Sequence, residues 1–362
     1  MDLTPNALGL EEEILSAITQ VVKRGDFVLG ADVDRLEQEF ASYCGVAYAV
    51  GVDSGFSALE LSLRAAGIGA GDEVITQANT FIATVGAIVA IGAVPVLADC
   101  DVKGAPDAGA FAARLTERSR SIIPVHLFGR LAEMGPFVEL ARKHGLTVIE
   151  DACQAHGATV ARRRAGSWGT ASAFSFYPAK NLGSLGDGGM LVTDSADVAD
   201  AARALRNYGQ RVKYEHEIGP PIGRRLDTLH AAALRVKLPH LDAWNALREQ
   251  RADLYRTSLE GLPLSLPEPE EPGRHVYHLF VVETEQRDEL RSFLGKQGIG
   301  TGIHYPIPLH LQPALTSLGY GIGDFPNAER LAATSLSLPM YPHLPLDDVL
   351  HVAESVRQFF GS

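Results

Sequence analysis

Short apolar segments alternate with amphipathic, helix-compatible segments along the first two-thirds of the chain. Apolar runs bounded by polar or glycine-containing turns are typical of buried parallel strands, and the segments between such strands form covering helices. The predicted strands are AYAVGV, DEVIT, AVPVLA, RSIIPVH, LTVIED, ASAFSF and GMLVTD. Helices are predicted between them over 57–66, 82–91, 134–144 and 197–207. The pattern therefore predicts an α/β fold with a mostly parallel central sheet flanked by helices.

The last third of the chain has a different pattern. A long helix-compatible run begins at Leu226, is interrupted at Pro239 and ends at Gly261, before the Pro- and Glu-rich segment LPLSLPEPEEPG. Beyond that segment lie the apolar run HVYHLFVV and two further predicted helices, near 287–297 and 346–359. We therefore predict a large domain over 1–245 and a smaller C-terminal α+β domain over 246–362.

The segment 74–98 carries no Asp, Glu, Lys or Arg and is long enough to resemble a membrane-spanning helix. It is interrupted, however, by polar residues, glycines and a proline. Parallel strands that are buried on both faces read as continuous apolar runs. This segment is therefore interpreted as strand, turn, helix and strand within a buried layer.

Composition narrows the class of protein. The 362 residues are 46% hydrophobic, which allows a substantial core, and the formal net charge of −12 argues against nucleic acid or an acidic membrane surface as a partner. Three widely spaced cysteines argue against a disulfide framework and fit a reducing compartment. With no secretory signal visible at the start of the chain, we expect a cytoplasmic protein. The sequence gives no reason to propose a metal site.

Two glycine clusters, GIGAGDE and GIGTGIH, superficially resemble a dinucleotide-binding loop. That loop follows a strand and precedes a helix. GIGAGDE instead follows a predicted helix and precedes a predicted strand, and GIGTGIH sits in the same way. Nicotinamide binding is therefore not favoured.

One lysine stands out in the stretch SAFSFYPAKNLGSLGDGG. The run from Ala171 to Tyr177 resembles a buried strand, and Pro178 ends it. Lys180 is therefore placed at the edge of a core element rather than on a solvated face. A lysine in such a place can be kept partly neutral, and a neutral amine can attack a carbonyl group.

A second candidate is the turn in VGVDSGFSALELSL, where a strand ends at Val52 and a helix begins near Phe56. Free backbone N–H groups and the helix dipole make such a turn favourable for a phosphate. Ordinary helix capping by Ser54 explains the same pattern. Both interpretations stay open at this point.

Two further candidates follow other strands. In LTVIEDACQAHG, Asp151 falls at the carboxyl end of a predicted parallel strand, where a carboxylate can hold a protonated ring nitrogen. In QANTFIATVGA, Phe81 precedes a predicted helix and can stack on a flat ring. The alternatives are a solvated aspartate and a core phenylalanine. Taken together, a phosphate turn, a carboxylate, an aromatic ring and an amine are the groups that pyridoxal 5'-phosphate requires.

The order of these motifs resembles the DegT/DnrJ/EryC1/StrS sugar aminotransferases, members of the fold-type I, aspartate-aminotransferase-like superfamily of pyridoxal phosphate enzymes. The resemblance extends through almost the whole chain. It rests on the blocks SGFSALELSLRAAGIGAGDEVI, EDACQAHGA, SFYPAKNLGSLGDGGM, RNYGQ, RLDTLHAAALRVKLPHLDAWN, YHLFVV and HYPIPLHLQPA.

The resemblance implies that Lys180 binds the cofactor covalently and then moves protons, while Asp151 keeps the pyridine nitrogen protonated. Gln154 is then near the ring oxygen, and Phe81 stacks on the ring. Ser175 and the backbone N–H groups near Gly55 bind the phosphate, with the other cofactor-binding positions at Phe56, Gly223 and Arg224.

Two positions depart from the family pattern. Phe56 stands where the family usually has Thr or a small residue, so that one hydroxyl donor is missing. Gly223 stands where a neighbouring subunit usually supplies an Asn, and Arg224 or Arg225 can replace it. The resemblance implies a homodimer with shared active sites.

The resemblance also implies the reaction. We expect amination of a nucleotide-linked ketosugar, specifically a dTDP-3-keto-6-deoxyhexose, with L-glutamate as the amino donor. A C4 ketosugar, a cyclitol and a non-catalytic regulator with this fold are the alternatives. A related sugar dehydratase carries His in place of the lysine, so Lys180 disfavours it. Tyr177, His278 and His304 are candidates for contacting the sugar.

Overall fold

The computed structural model describes residues 9–270 and 272–361. A seven-stranded sheet forms the centre of the larger part of the molecule. The strands of the described chain are β1 Tyr48–Val52, β2 Glu73–Gln77, β3 Val94–Ala98, β4 Ser119–Ile123, β5 Thr147–Asp151, β6 Thr159–Val160, β7 Arg163–Arg164, β8 Ala171–Ser175, β9 Gly189–Thr193, β10 Gln210–Val212, β11 Glu215–His216, β12 Gly273–Arg274, β13 Phe280–Glu283 and β14 Ser335–Leu338.

The strand order of the central sheet is β1-β9-β8-β5-β4-β2-β3. The five strands from β8 to β3 pair in parallel, and β9 runs antiparallel to both of its neighbours. All seven strands predicted from the apolar runs are therefore present in this sheet. The parallel strands end at one edge, where open α/β sheets bind their ligands.

The helices connect and cover these strands. They are α1 Glu11–Arg24, α2 Ala31–Cys44, α3 Gly55–Ala65, α4 Ile82–Ala90, α5 Ala108–Ala112, α6 Met134–His144, α7 Ala196–Arg206, α8 Thr228–Lys237, α9 Leu241–Leu259, α10 Arg287–Lys296, α11 Pro326–Thr334 and α12 Leu346–Gly361. Short 3₁₀ helices cover Leu127–Gly129, Leu238–His240, Leu309–Leu311 and Pro313–Leu318. The predicted helices at 57–66, 82–91, 134–144 and 197–207 agree with α3, α4, α6 and α7 to within two residues.

Two apolar cores cover the two faces of the sheet because successive strand residues point to opposite sides. On β5, Val148 joins one core and Ile149 joins the other. The same alternation separates Ile122 from Ile123 on β4. This burial on both faces explains why the strands read as continuous apolar runs.

The C-terminal part has a separate core, formed around α9, α10, α12 and the antiparallel pair of β13 and β14. The predicted division between residues 245 and 246 falls within α9, whose first residue, Leu241, packs in the core of the large sheet. Tyr255 and Leu259, at the other end of α9, pack in the C-terminal core. The two-domain division stays a prediction, with α9 as the element that joins the two cores.

The uncharged segment 74–98 folds as β2, α4 and β3, as predicted. Among the residues that the structure describes, no helix is long and apolar enough to cross a membrane.

Candidate active site

Lys180 lies in the turn after β8, at the edge where the parallel strands end. Its backbone N–H donates to the carbonyl oxygen of Tyr177 at 2.8 Å, which closes the turn. Burial lowers the pKa of Lys180, whereas the nearby Cys153 and Asp151 raise it. The net lowering increases the neutral fraction of the amine, and a neutral amine is the nucleophilic form.

Asp151 is the last residue of β5 and is 5% exposed. Its Oδ1 accepts a hydrogen bond from the backbone N–H of Cys153 at 3.2 Å, and its Oδ2 accepts one from the hydroxyl of Thr84 at 2.8 Å. The alternative of a solvated aspartate is therefore wrong. The buried carboxylate is held in one orientation at the mouth of the sheet.

The turn before α3 fits both interpretations of the sequence, helix capping by Ser54 and phosphate binding by free N–H groups. The Ser54 hydroxyl caps the helix by accepting the Ser57 N–H at 3.1 Å. The backbone N–H groups of Gly55 and Phe56 lie in the first turn of α3, where no carbonyl oxygen of the helix is available to accept from them. They can therefore donate to an external anion, where the helix dipole favours negative charge.

Gly55 allows this turn to approach the end of β8. A Cβ at position 55 would lie 2.7 Å from the Cβ of Ser175 and 2.8 Å from the Sγ of Cys153, so a side chain does not fit there. The close approach places the start of α3 against Ser175 at the end of β8. The free N–H groups of α3 and the Ser175 hydroxyl together form an arrangement of donors suited to a phosphate.

The side chain of Phe56 points away from this turn. It packs in a core of the large sheet, close enough to Gly86 that a Cβ there would lie 3.1 Å from the ring. Phe56 can therefore offer its backbone N–H only, which agrees with the absence of a hydroxyl donor noted in the sequence.

Gln154, Tyr305 and Phe81 form a connected group on the other side of the site. Gln154 accepts the Phe128 N–H at 2.7 Å and donates to the Tyr305 hydroxyl at 3.2 Å. The Phe81 ring lies 5.5 Å from the Tyr305 ring and is 51% exposed. Phe81 is therefore not a core residue, and its exposed face is available for stacking.

Two histidines lie near the lysine. His304 bonds the Ser337 hydroxyl through Nδ1 at 2.8 Å, and His278 bonds the side-chain oxygen of Asn181 at 3.2 Å. Burial, followed by the charge of Lys180, lowers the pKa of both histidines. Both imidazoles are therefore neutral at neutral pH.

Tyr177 is placed differently from the prediction. Strand β8 ends at Ser175, two residues earlier than the apolar run indicated, because the Ser175 hydroxyl accepts the Tyr177 N–H at 3.3 Å in a turn. The Tyr177 side chain is 55% exposed. The predicted strand from Ala171 to Tyr177 is therefore two residues too long, and Tyr177 extends toward solvent.

The segment of Gly223 and the two arginines packs beside β1 and α3 of its own chain. Arg224 forms an ion pair with the buried Glu60 of α3 at 3.0 Å. Arg225 bridges to Val52 along the backbone, and its guanidinium lies over the Tyr208 ring. To reach the cofactor site of a second copy, Arg224 would have to break its ion pair with the buried Glu60. Arg225 would have to give up a 3.3 Å hydrogen bond to the side-chain oxygen of Asn207 and its contact with the Tyr208 ring.

A cavity of about 390 Å³ lies away from Lys180, between the large sheet and the C-terminal part. Its cations are already neutralised, because Lys103 pairs with Glu268 and Arg130 pairs with Glu270. Within residues 9–270 and 272–361, no cluster of His, Cys, Asp or Glu is placed to hold a metal ion.

These groups fit pyridoxal phosphate. Free amides at a helix N-terminus and a serine hydroxyl suit its phosphate, and an oriented carboxylate suits its pyridine nitrogen. A half-buried lysine with a lowered pKa suits its aldehyde.

Sequence reasoning missed Thr84 and Tyr305 as parts of the site. Both lie inside motifs that were already singled out: Thr84 ends the block FIAT, and Tyr305 follows His304. Their contacts could not be inferred from the sequence because each residue bonds a partner more than 60 positions away.

Comparisons with known proteins agree with this site. A model of the DegT/DnrJ/EryC1/StrS aminotransferase family matches residues 9–357. A dTDP-3-amino-3,4,6-trideoxy-alpha-D-glucose transaminase of Streptomyces venezuelae is 45% identical over 99% of this chain and 95% of its own length. A pleiotropic regulatory protein of Geobacillus stearothermophilus is 42% identical over 99% of this chain and 98% of its own length.

Solved structures give the same result. The crystal structure of S. venezuelae DesV in complex with a ketimine intermediate superposes with a TM-score of 0.97 at 45% identity. The match covers 100% of this chain and 98% of DesV.

Proposed function

Because the chain belongs to the DegT/DnrJ/EryC1/StrS aminotransferase family, we propose that it transfers an amino group from L-glutamate to a nucleotide-linked keto-deoxysugar. The predicted family, fold, enzyme class and pyridoxal phosphate cofactor are confirmed. The observation that carries the proposal is the half-buried Lys180 beside the oriented carboxylate of Asp151.

The substrate is a dTDP-3-keto-6-deoxyhexose, aminated at C3. The name of the S. venezuelae relative, a dTDP-3-amino sugar transaminase at 45% identity, supports this position on the sugar. C4 amination and cyclitol amination are the alternatives that the same motifs allow. The product is an amino sugar for natural-product or cell-surface glycan synthesis.

Different residues of this chain bind the cofactor, transfer the proton and balance the charge of the ring. Pyridoxal phosphate, when bound, supplies an electron-accepting ring that allows the α-proton of the amino donor to leave. Lys180 holds the cofactor and carries that proton between carbon atoms. Asp151 orients and balances the ring nitrogen, while the Gly55 and Phe56 amides and Ser175 bind the phosphate.

Sugar recognition falls to the residues around the opening of the site. The His304 ring packs edge-on against the adjacent Tyr305, His278 is buried, and Tyr177 is exposed. The neutral imidazoles can donate to or accept from sugar hydroxyl groups without adding charge.

A homodimer completes the site in this proposal. Phe81, Tyr177 and Tyr208 expose 51%, 55% and 38% of their surface. Exposed aromatic residues of this kind are enriched at protein interfaces. Arg225 from the second copy then supplies the phosphate donor that Gly223 lacks.

We propose that the reaction takes place in the cytoplasm. Cys44, Cys100 and Cys153 are free thiols in the structure, which supports a reducing compartment.

A regulatory role is the second candidate, favoured by the name of the G. stearothermophilus relative. A non-catalytic regulator has no need for a lysine with a lowered pKa next to an oriented carboxylate. The observed site therefore favours the enzyme.

The test is incubation of the purified protein with pyridoxal phosphate, L-glutamate and a set of dTDP-linked 3-keto and 4-keto deoxysugars. NMR of the products locates the new amine. We expect amination at C3 with wild type and none with Lys180→Ala. Glutamate-dependent product at C4 alone would contradict the regiochemistry, and no product with any ketosugar would contradict the proposed substrate class and leave a cyclitol substrate or the regulator.

A further inference from the structure

The orientation of Asp151 depends on a residue of α4 that has not been assigned any contact with the cofactor. Two hydrogen bonds reach its carboxylate, one for each oxygen: the Cys153 N–H on Oδ1 at 3.2 Å and the Thr84 hydroxyl on Oδ2 at 2.8 Å. The first comes from the same chain segment, two residues on, and therefore does not relate the carboxylate to any other element. The second comes from α4 and therefore fixes the plane of the carboxylate relative to another element.

The direction of the Thr84 bond is determined by chemistry. An ionised carboxylate only accepts, so the single hydroxyl proton of Thr84 is directed to Asp151. The Thr80 hydroxyl lies 3.2 Å from the Thr84 oxygen, and with that proton already used, Thr80 is the donor. The two threonines thus form a chain of donors that ends on Asp151.

The Thr84 hydroxyl is free to make this contact because Thr84 lies in the first turn of α4, where no carbonyl oxygen of the same helix stands four residues earlier. Thr84 is 1% exposed and binds a side chain 67 positions away. A buried hydrogen bond to a charged group is among the stronger ones in proteins.

From this geometry we propose that Thr84 is a positioning residue, which sets the angle at which the Asp151 carboxylate meets the pyridine nitrogen of the cofactor. The inference rests on the proposed function. Helix α4 also begins directly after Phe81, so one element places both the aromatic ring and the support of the carboxylate.

The test compares Thr84→Val, which keeps the shape but removes the hydroxyl, with Thr84→Ser, which keeps the hydroxyl. Thr76→Val is the matched control, because Thr76 is equally buried but bonds the Ile123 carbonyl. Asp151→Asn serves as the reference. The dissociation constant of pyridoxal phosphate and the absorbance spectrum of the bound cofactor at one fixed pH are measured for each variant.

We expect Thr84→Val to weaken cofactor binding about tenfold, an effect the size of one hydrogen bond to a charged group, because the Asp151 carboxylate then has to be ordered when the ring nitrogen binds. Its spectrum should change in the same direction as that of Asp151→Asn. Thr84→Ser and Thr76→Val should stay within about twofold of wild type. If Thr84→Val does not fold, Thr84→Ala is measured by the same criterion.

A Thr84→Val protein with the affinity and spectrum of wild type, alongside an altered Asp151→Asn, would overturn the inference but leave the proposed function intact. An unaltered spectrum in Asp151→Asn itself would instead contradict the role of Asp151 in the proposed function. Equal effects of Thr84→Val and Thr76→Val would assign Thr84 to packing and also overturn the inference.

Discussion

For single residues, the chemistry of the site depends on which ionisable side chains are buried. Burial lowers the pKa of Lys180, and the neighbouring Asp151 partly opposes that shift. The positions of Lys180, in the turn after β8, and of Asp151, at the end of β5, could be predicted because the strands were visible as apolar runs. The bond between Thr84 and Asp151 could not, since nothing local in the sequence indicates that a helical threonine will bond a distant carboxylate.

Asp151→Asn should reduce the rate of the half-reaction with L-glutamate by about a hundredfold or more, because a developing charge on the ring loses its partner. The rate is measured in single-turnover experiments with the cofactor-loaded protein. Asp197→Asn, an exposed aspartate in the first turn of α7, is the control and should react at the wild-type rate. A rate for Asp151→Asn within a few-fold of wild type would be incompatible with the assigned role.

A buried histidine predicts the response to acid. His156 packs against Phe174 and Phe176, and burial, followed by the charge of Lys180, lowers its pKa from 6.5 to about 3. Above pH 6.5 neither state binds the proton, whereas below that pH the unfolded chain binds it and the folded chain does not. As the pH falls from 6.5 toward 3, His156 therefore lowers the free energy of unfolding by about 1.4 kcal/mol for each pH unit.

His156→Phe removes that titrating group and keeps an aromatic ring in the space. Denaturant unfolding of the cofactor-free protein, above and below pH 6.5, should show a shallower loss of stability for the variant. Identical slopes for the two proteins would mean that His156 does not stay neutral in the folded state.

At the scale of elements, the strands were predictable and the turns between them were not. Burial on both faces made every strand of the large sheet visible as an apolar run, and Pro178 marked a stop. The run from Ala171 to Tyr177 was misleading because an apolar sequence continues past the point where the Ser175 hydroxyl bonds the Tyr177 amide. Local side-chain hydrogen bonds of this kind end strands without changing hydropathy.

The end of β5 is fixed by Glu150, which points to the opposite face from Asp151. Its carboxylate accepts hydrogen bonds from the amides of Gly166, Trp168 and Gly169, from the Ser172 hydroxyl and from His126. Burial acts to raise the pKa of Glu150, but these bonds outweigh it and lower the pKa.

Glu150→Gln should reduce the free energy of unfolding by about 3 kcal/mol, because an amide replaces one acceptor oxygen with a donor that faces other donors. Denaturant unfolding measures this loss. The exposed Glu139→Gln on α6 is the control and should change stability by less than about 0.5 kcal/mol. A Glu150→Gln protein as stable as wild type would contradict this role.

At the scale of the whole molecule, the resemblance in ordered motifs placed the chain in its family, and the fold agrees through its full described length. The division into domains was harder to predict because α9 belongs to both cores: Leu241 packs with the large sheet and Leu259 with the C-terminal part. A continuous helix carries no sequence signal at the point where its packing partner changes.

Assembly can be tested through the two arginines beside Gly223. Arg224 is already paired with Glu60. Arg225→Ala should therefore weaken pyridoxal phosphate binding in the dimer by about tenfold, and Arg224→Ala should weaken it less. Fluorescence titration of the cofactor and sedimentation of each variant give the two quantities. Unchanged affinity in both variants would exclude arginine as the replacement donor, and an active monomer would contradict shared sites.

The most direct test of the account is to reduce the cofactor-loaded protein with borohydride, with and without prior incubation with L-glutamate, and to locate the modified peptide by mass spectrometry. We expect the cofactor to be fixed to Lys180, and glutamate to remove most of this modification because the amino donor displaces the lysine. Modification of a different lysine, or modification of Lys180 that glutamate does not reduce, would contradict it.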